Sequence, residues 1–364
     1  MKTIGIFMDS FHIGGVQKVF ITLANEIIRQ GYSVIIITLD ANGELKDEID
    51  KNIKVINLKE KHIRSVFFRV GHIIKKSQFD VLLTGKDAEN LFFVANKLYF
   101  RYKTKLFISQ HNHLTPESES VHGFYQTVIL NAIKHLYKRA DGVICVSNGI
   151  RDALKSKGIP DKKLRVIYNP LDLNRVRSMA EEKCPICIES PYIIFVGRFS
   201  PIKNLEYLLC SFDLFHKKNP HYKLLLVGDG AERTKLERIA KDKGIYESVV
   251  FLGAISNPYC YMKESDLLVL TSKREAFSMV VLEALTLGKT VVTTASGGPS
   301  ELLQSDNGYI VNSFDDANLL AKTMMNAIEH PKDAIQLKEY AESFSANKIA
   351  EQYLMAFESK DILL

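Results

Sequence analysis

Short runs of Ile, Val and Leu alternate along most of the chain with longer segments whose apolar residues return every three or four positions. The short runs have the length of strands and the longer segments have helical period, which predicts βαβ units and parallel sheets. Strands are expected at Thr3 to Phe7, Ser33 to Leu39, Val81 to Thr84, Leu106 to Ser109, Gly142 to Val146 and Arg165 to Ile167. From Tyr168 to Pro191 the periodicity lapses and three prolines intervene, so this stretch predicts a linker. A second series follows at Tyr192 to Val196, Lys223 to Val227, Val249 to Leu252, Leu267 to Thr271, Thr290 to Thr293 and Gly308 to Val311. The tail, "ANKIAEQYLMAFESK", reads as an amphipathic helix, and no short-period repeat is present.

Length supports two domains, because 364 residues exceed the size at which a single core stops growing. The apolar fraction of 46% and charged fraction of 25% are those of an ordinary globular protein. There is no apolar run long enough to span a bilayer, and "MKTIGIFMDSFHIGG" lacks the apolar region and cleavage site of a signal peptide. A cytoplasmic location is therefore expected. Five cysteines, an odd number, suggest reduced thiols, and Cys184-Pro-Ile-Cys187 has no second pair to complete a metal site.

Charge is divided unevenly. Residues 1–185 carry 29 Lys and Arg against 19 Asp and Glu, a balance of +10, whereas the remainder stands at −4. Within the basic half, Lys61 to Lys76 and Asn90 to Phe107 interleave cations with Phe, Ile, Leu and Tyr. Such segments suit an anionic membrane surface or a lipid diphosphate, and they read equally as sheet-packing helices with a wet cationic face. No RNA-binding or DNA-reading motif accompanies them, so nucleic acid is not an expected partner.

The densest chemistry lies in Arg274 to Glu301. From Phe277 the apolar residues Val280, Val281, Ala284 and Leu285 recur at helical spacing and Gly288 ends the run, which predicts a helix starting near Phe277. Its first amides, around Phe277, Ser278 and Met279, are suited to hold a phosphate. Glu275 precedes that anion site and Glu283 lies about two turns in, so one carboxylate could contact a sugar and the other a ribose. Taken alone, the pair also fits a first-turn glutamate and a solvated helix residue. Upstream, the strand at Tyr192 to Val196 ends in Gly197 and is followed by Arg198 and Lys203, two cations where open α/β sheets bind ligands. They could neutralise a diphosphate. Gly14 and Gly15 open the loop after the first strand and permit close backbone approach to an acceptor or a phosphate.

Glu275 with Glu283, Arg198 with Lys203, "LLLVGDG" ending at Gly230, "VVFLG" ending at Gly253, "GGPSE" and the amino-terminal "GGVQK" occur in one order over roughly residues 1–330. In this order the chain resembles a family 4 retaining glycosyltransferase with the GT-B architecture. The resemblance implies two Rossmann-like domains whose parallel sheets face a central cleft. The acceptor domain would span 1–170, with a returning helix at about 346–364, and the donor domain 188–345. It further implies catalytic roles for Arg198, Lys203, Glu275 and His111, with His113 the weaker match to the family histidine. Donor contacts fall to Glu283, Phe277, Ser278, Met279, Gly197, Gly228 and Gly253, and an acceptor or phosphate loop to Gly14, Gly15 and Lys18. Two positions depart from the family pattern: Glu275-Ala276-Phe277-Ser278 stands where Glu-Gly-Phe-Gly is common, and Gln17 replaces an acidic residue, leaving acceptor recognition open. The run Val146 to Ile150 is expected to cap a loop.

The expected activity is transfer of a hexose or N-acetylhexosamine from a nucleoside-diphosphate sugar, by default uridine-based, to a lipid-linked or growing surface glycan. The enzyme would work at the inner face of the cytoplasmic membrane. No Asp-x-Asp occurs, so neither a bound metal nor another cofactor is expected. The alternatives are a nucleotide-sugar hydrolase or epimerase of the same fold, and a catalytically silent subunit of a glycan-assembly complex.

Overall fold

The computed structural model describes residues 2–112, 123–304 and 306–359, with backbone alone for 123–127. The chain divides into two compact units, one of Met1–Leu171 with Phe344–Leu364 and the other of Asp172–Ser343.

The first unit is built on seven strands: β1 (Thr3–Met8), β2 (Ser33–Thr38), β3 (Lys54–Asn57), β4 (Val81–Thr84), β5 (Lys105–Gln110), β6 (Gly142–Cys145) and β7 (Leu164–Val166). All pair in parallel, in the order β3-β2-β1-β4-β5-β6-β7. Central strands such as β4 and β6 are buried at every position, which is why they read as unbroken apolar runs. The edge strand β3 was not expected, because Lys54 and Val55 are exposed and it lacks such a run. Helix Ala346–Glu358 belongs to this unit and buries Ile349, Tyr353 and Phe357, the last against Phe107 with ring centroids 4.8 Å apart. Ser147 caps helix Asn148–Ser156 by accepting from the Ile150 amide.

The second unit holds β8 (Tyr192–Val196), β9 (Lys223–Val227), β10 (Val249–Gly253), β11 (Leu267–Leu270), β12 (Val291–Thr294) and β13 (Tyr309–Val311). These are again parallel, in the order β10-β9-β8-β11-β12-β13. Strand order reverses at β1 in one sheet and at β8 in the other, so loops on either side of each diverge and leave room for a ligand at the carboxyl ends.

The expected linker contains a helix, and the second unit starts at Asp172 rather than 188. Asp172 caps helix Leu173–Ala180 by accepting from the Arg175 amide at 3.0 Å, and Leu173, Val176 and Ala180 form its buried face. The three apolar positions are too few to register as periodicity. Among the described residues, no helix is long and apolar enough to cross a membrane.

Candidate active site

Gly197 follows strand β8, and Arg198 projects from the next position exposed, with no carboxylate partner among the described residues. A short helical turn, Pro201–Lys203, then brings Lys203 towards the loop after β11. There Lys203 Nζ donates to Glu275 Oε1 at 2.6 Å, and Ser272 Oγ donates to the same oxygen at 2.6 Å. The Glu275 side chain is only 10% exposed. Its backbone is fixed from both sides, since its amide donates to Ser296 at 2.7 Å and its carbonyl accepts from Gly298 at 2.8 Å. Thr271 Oγ1 donates to the Lys203 carbonyl at 2.9 Å, and Thr294 Oγ1 to the Ser272 carbonyl at 2.6 Å. The result is a nearly buried carboxylate with its cation, held at a strand-order reversal before a ligand arrives, an arrangement suited to stabilise developing charge.

A cavity of about 280 Å³ opens at the same strand ends, lined by Gly197, Arg198, Gly228, Asp229, Ile255 and Pro258. Gly228 has φ +138°, and a Cβ there would lie 1.9 Å from the Gly197 carbonyl, so only glycine lets these two strand ends close. The Gly228 amide donates to the Gly253 carbonyl at 2.8 Å, which ties the third glycine into the same wall. Glu283, on helix Met279–Thr286, accepts from Tyr259 Oη at 3.1 Å, and Tyr259 follows Pro258 of the cavity wall. The helix begins at Met279 rather than Phe277, because Ser278 is extended and acts as its cap, accepting from Val281. Phe277 lies in the preceding loop, where Gly298 passes so close that a Cβ would come within 2.6 Å of Phe277 Cα.

In the first unit, Gly14 precedes helix Gly15–Arg29 in extended conformation. A Cβ at Gly14 would sit 2.3 Å from Gln17 Oε1, whereas nothing lies within 4 Å of one at Gly15. Gln17 is buried and its Nε2 donates to Asp9 Oδ1 at 2.9 Å, while Lys86 Nζ binds Asp9 Oδ2 at 2.7 Å. Gln17 thus serves Asp9, and Lys18 points to solvent. Neither Asp9 nor Lys86 was singled out from sequence, although both follow strand ends where a ligand site would be sought. Ser272, just past β11, was missed in the same way.

His111 follows β5. Its ring packs edge-on to Phe20 at 5.7 Å and its Nε2 is buried without a hydrogen-bond partner among the described residues. Burial pulls the imidazole down to about 4, so it is neutral at physiological pH. Its neighbour Asn112 is held through its carbonyl by Gln110, which also donates to Asp87 at 2.8 Å. His113 lies outside the described residues. Cys184 is buried and Cys187 exposed.

The family described as "Glycosyltransferase Family 4" matches residues 13–175, and "Glycosyl transferases group 1" matches 181–344. The chain is a family 4 glycosyltransferase of the GT-B fold. The transferase is 26% identical over 370 residues to the N-acetylgalactosamine-N,N'-diacetylbacillosaminyl-diphospho-undecaprenol 4-alpha-N-acetylgalactosaminyltransferase of Campylobacter jejuni, covering 97% of this chain and 99% of that protein. It is 24% identical over 365 residues to the lipopolysaccharide core biosynthesis glycosyltransferase LpsE of Rhizobium meliloti, covering 96% and 98%. In fold it resembles the crystal structure of Anabaena HepE in complex with UDP and glucose, with a TM-score of 0.80 at 21% identity over 99% of this chain and 100% of that one.

Proposed function

We propose that this transferase moves a hexose or N-acetylhexosamine from a UDP-sugar, with retention at the anomeric carbon, to a hydroxyl of a lipid-linked or growing surface glycan. The observation that carries the proposal is the Lys203–Glu275–Ser272 cluster beside the Arg198 cavity at the end of β8. In this reading the nucleotide occupies the glycine-walled cavity and Glu283 holds the ribose. Arg198 and Lys203 take up the charge that develops on the diphosphate as the bond to the anomeric carbon breaks. Glu275 orders the donor-sugar hydroxyls, and the amide donors around Phe277, Ser278 and Met279 face the same anion. The acceptor oxygen bonds to the anomeric carbon on the face the diphosphate leaves, and a departing phosphate oxygen takes its proton. His111, neutral and unpaired at Nε2, is assigned to the acceptor side of the reaction together with the Gly14–Gly15 loop and Lys18. The diphospho-undecaprenol glycan in the Campylobacter relative's name, the lipopolysaccharide core biosynthesis in that of LpsE, and UDP in HepE support the choice of donor and acceptor.

The first unit also supports docking to an anionic membrane at the inner leaflet. Phe67, Phe68, Tyr99 and Phe100 form an edge-to-face cluster whose Phe68 and Tyr99 are 59% and 63% exposed, flanked by exposed Lys75, Lys76, Arg101 and Lys103. Apolar rings with surrounding cations fit the headgroup boundary.

The test is thermal protection by a panel of nucleotide-sugars, then transfer to a lipid-diphosphate glycan with the product's anomeric configuration read by NMR, in buffer with and without excess chelator. A UDP-sugar should protect the protein, and transfer should retain configuration in chelator. An inverted product would refute the retaining mechanism. Protection by guanosine donors alone would refute the uridine assignment, and loss of transfer in chelator, restored by magnesium or manganese, would refute metal independence.

A further inference from the structure

A cavity of about 420 Å³ in the first unit is not used by the donor chemistry. It lies at the carboxyl ends of β1, β2 and β4, and its wall includes Asp9, Lys61, His62, Arg64, Lys86 and Glu89. The charges within it are not equivalent. Asp9 is committed to Lys86 and Gln17. Lys61 and Arg64 are exposed at the rim and have no carboxylate partner among the described residues, and His62 is exposed beside them. Glu89 is the opposite case. It sits in the first turn of helix Asp87–Phe100, is 5% exposed, and its Oε1 has no hydrogen-bond partner among the described residues.

Burial, and next the nearby Asp9 carboxylate, push the Glu89 carboxyl up to about 8, against the opposing pull of the Lys86 ammonium and of the Lys86 and Gly85 backbone amides. At neutral pH it therefore carries a proton and can donate a hydrogen bond, as a carboxylate could not. An unpaired buried polar group is costly unless something meets it. Two free cations at the mouth and a proton donor in the wall call for a ligand with negative oxygens.

We propose that this cavity holds an anionic group of the acceptor, a phosphate or a sugar carboxylate, between Lys61 and Arg64 at the rim and the Glu89 side chain in the wall. Calling the ligand an acceptor rests on the transferase reading; the anion site itself does not.

The test uses the full chain with inorganic phosphate, glucuronate and glucose as probes, titrated by NMR or calorimetry. At least one anion should bind saturably and ten-fold or more tighter than glucose. Phosphate alone would point to a phosphate-bearing acceptor and glucuronate alone to a uronic acid; equal binding of all three would overturn the site. The double variant Lys61→Gln/Arg64→Gln changes exposed positions, so folding is expected to survive, and it should weaken anion binding at least ten-fold. Unchanged binding would overturn the assignment. Glucuronate does not titrate above neutral pH, so its affinity for the native protein should fall as Glu89 ionises between about pH 7 and 9. Glu89→Gln, which keeps a donor, should flatten that profile, and a profile that still falls would remove Glu89 from the site. UDP-sugar binding to the unmodified protein separates the two readings. Anion binding without it would sink the donor assignment and leave the anion site standing; UDP-sugar binding without anion binding would sink this inference alone.

Discussion

Glu275 and Lys203 are separated by 72 positions in the chain, and their contact is the part of the proposed donor site that the sequence did not show. Each residue type was legible, because each follows a strand end. Their ion pair depends on how far the Pro201–Lys203 turn reaches, and no periodicity records that distance. The pairing sharpens what substitution should do. Lys203→Ala removes a cation proposed to face the diphosphate and leaves the largely buried Glu275 carboxylate with Ser272, so the loss in kcat/KM should correspond to about 2–4 kcal/mol while the fold persists. Glu275→Gln should lower kcat at saturating donor, because contacts to the reacting sugar matter most in the transition state. Glu283→Gln, at the acceptor of the Tyr259 hydroxyl beside the cavity wall, should chiefly raise the donor KM. Steady-state kinetics on the three variants checks this, and unchanged kinetics in any one would remove that residue from its role.

Glu89 makes a prediction of the opposite kind. Its carboxyl is raised from 4.5 to about 8 in the folded chain, so the folded state holds a proton that the unfolded state has released over that window. Stability contributed by the protonated group is present below pH 4.5 and is lost as pH rises towards 8, by up to about 5 kcal/mol from this residue. Glu89→Gln should therefore raise Tm at pH 8 and leave it nearly unchanged at pH 4. Equal shifts at both pH values, read by calorimetry, would contradict the assignment. Nothing in the sequence marked Glu89, since a glutamate in a first helical turn is ordinary there.

Among the elements, those with long apolar runs were legible and those without were not. β4, β6, β8 and β11 are buried at nearly every position and read directly from composition. β3 half faces solvent, and helix Leu173–Ala180 shows only three inward residues. The start of helix Met279–Thr286 shifted by two residues because an extended Ser278 with its hydroxyl on the Val281 amide is a local hydrogen-bond event. The loop that carries Glu275 into this helix leans on Gly298. A Cβ there would meet the Ala276 carbonyl at 2.5 Å and Phe277 Cα at 2.6 Å, both backbone and unable to rotate aside. Gly298→Ala should cost about 1–3 kcal/mol of stability and lower turnover by displacing Glu275. Chemical denaturation and kinetics test this, and an alanine variant with native stability and rate would show that the loop has slack.

For the whole molecule, the uneven charge noted in the sequence acquires a location. The exposed Phe68 shares helix Phe67–Ser77 with exposed Lys75 and Lys76, and the exposed Tyr99 lies two positions before Arg101 and four before Lys103 on the first unit. Reversing these four charges should release the protein from anionic vesicles, at roughly 1 kcal/mol per cation near the surface. In the native protein, retention should weaken with added salt. Equal retention on anionic and neutral vesicles at low salt would show that this face does not dock.

The return of Phe344–Leu364 to the first unit also has a bearing on how the chain is born. The second unit is one unbroken stretch, Asp172–Ser343, and can fold as it leaves the ribosome. The first unit lacks the helix that buries Tyr353 and Phe357 until those 172 residues have been made, a wait of roughly 10 to 30 s at ordinary rates of synthesis. The half of the enzyme translated first is thus the half completed last. During that interval the apolar faces of helix Gly15–Arg29 and β5 that await Ala346–Glu358 are open to chaperones and to neighbouring chains.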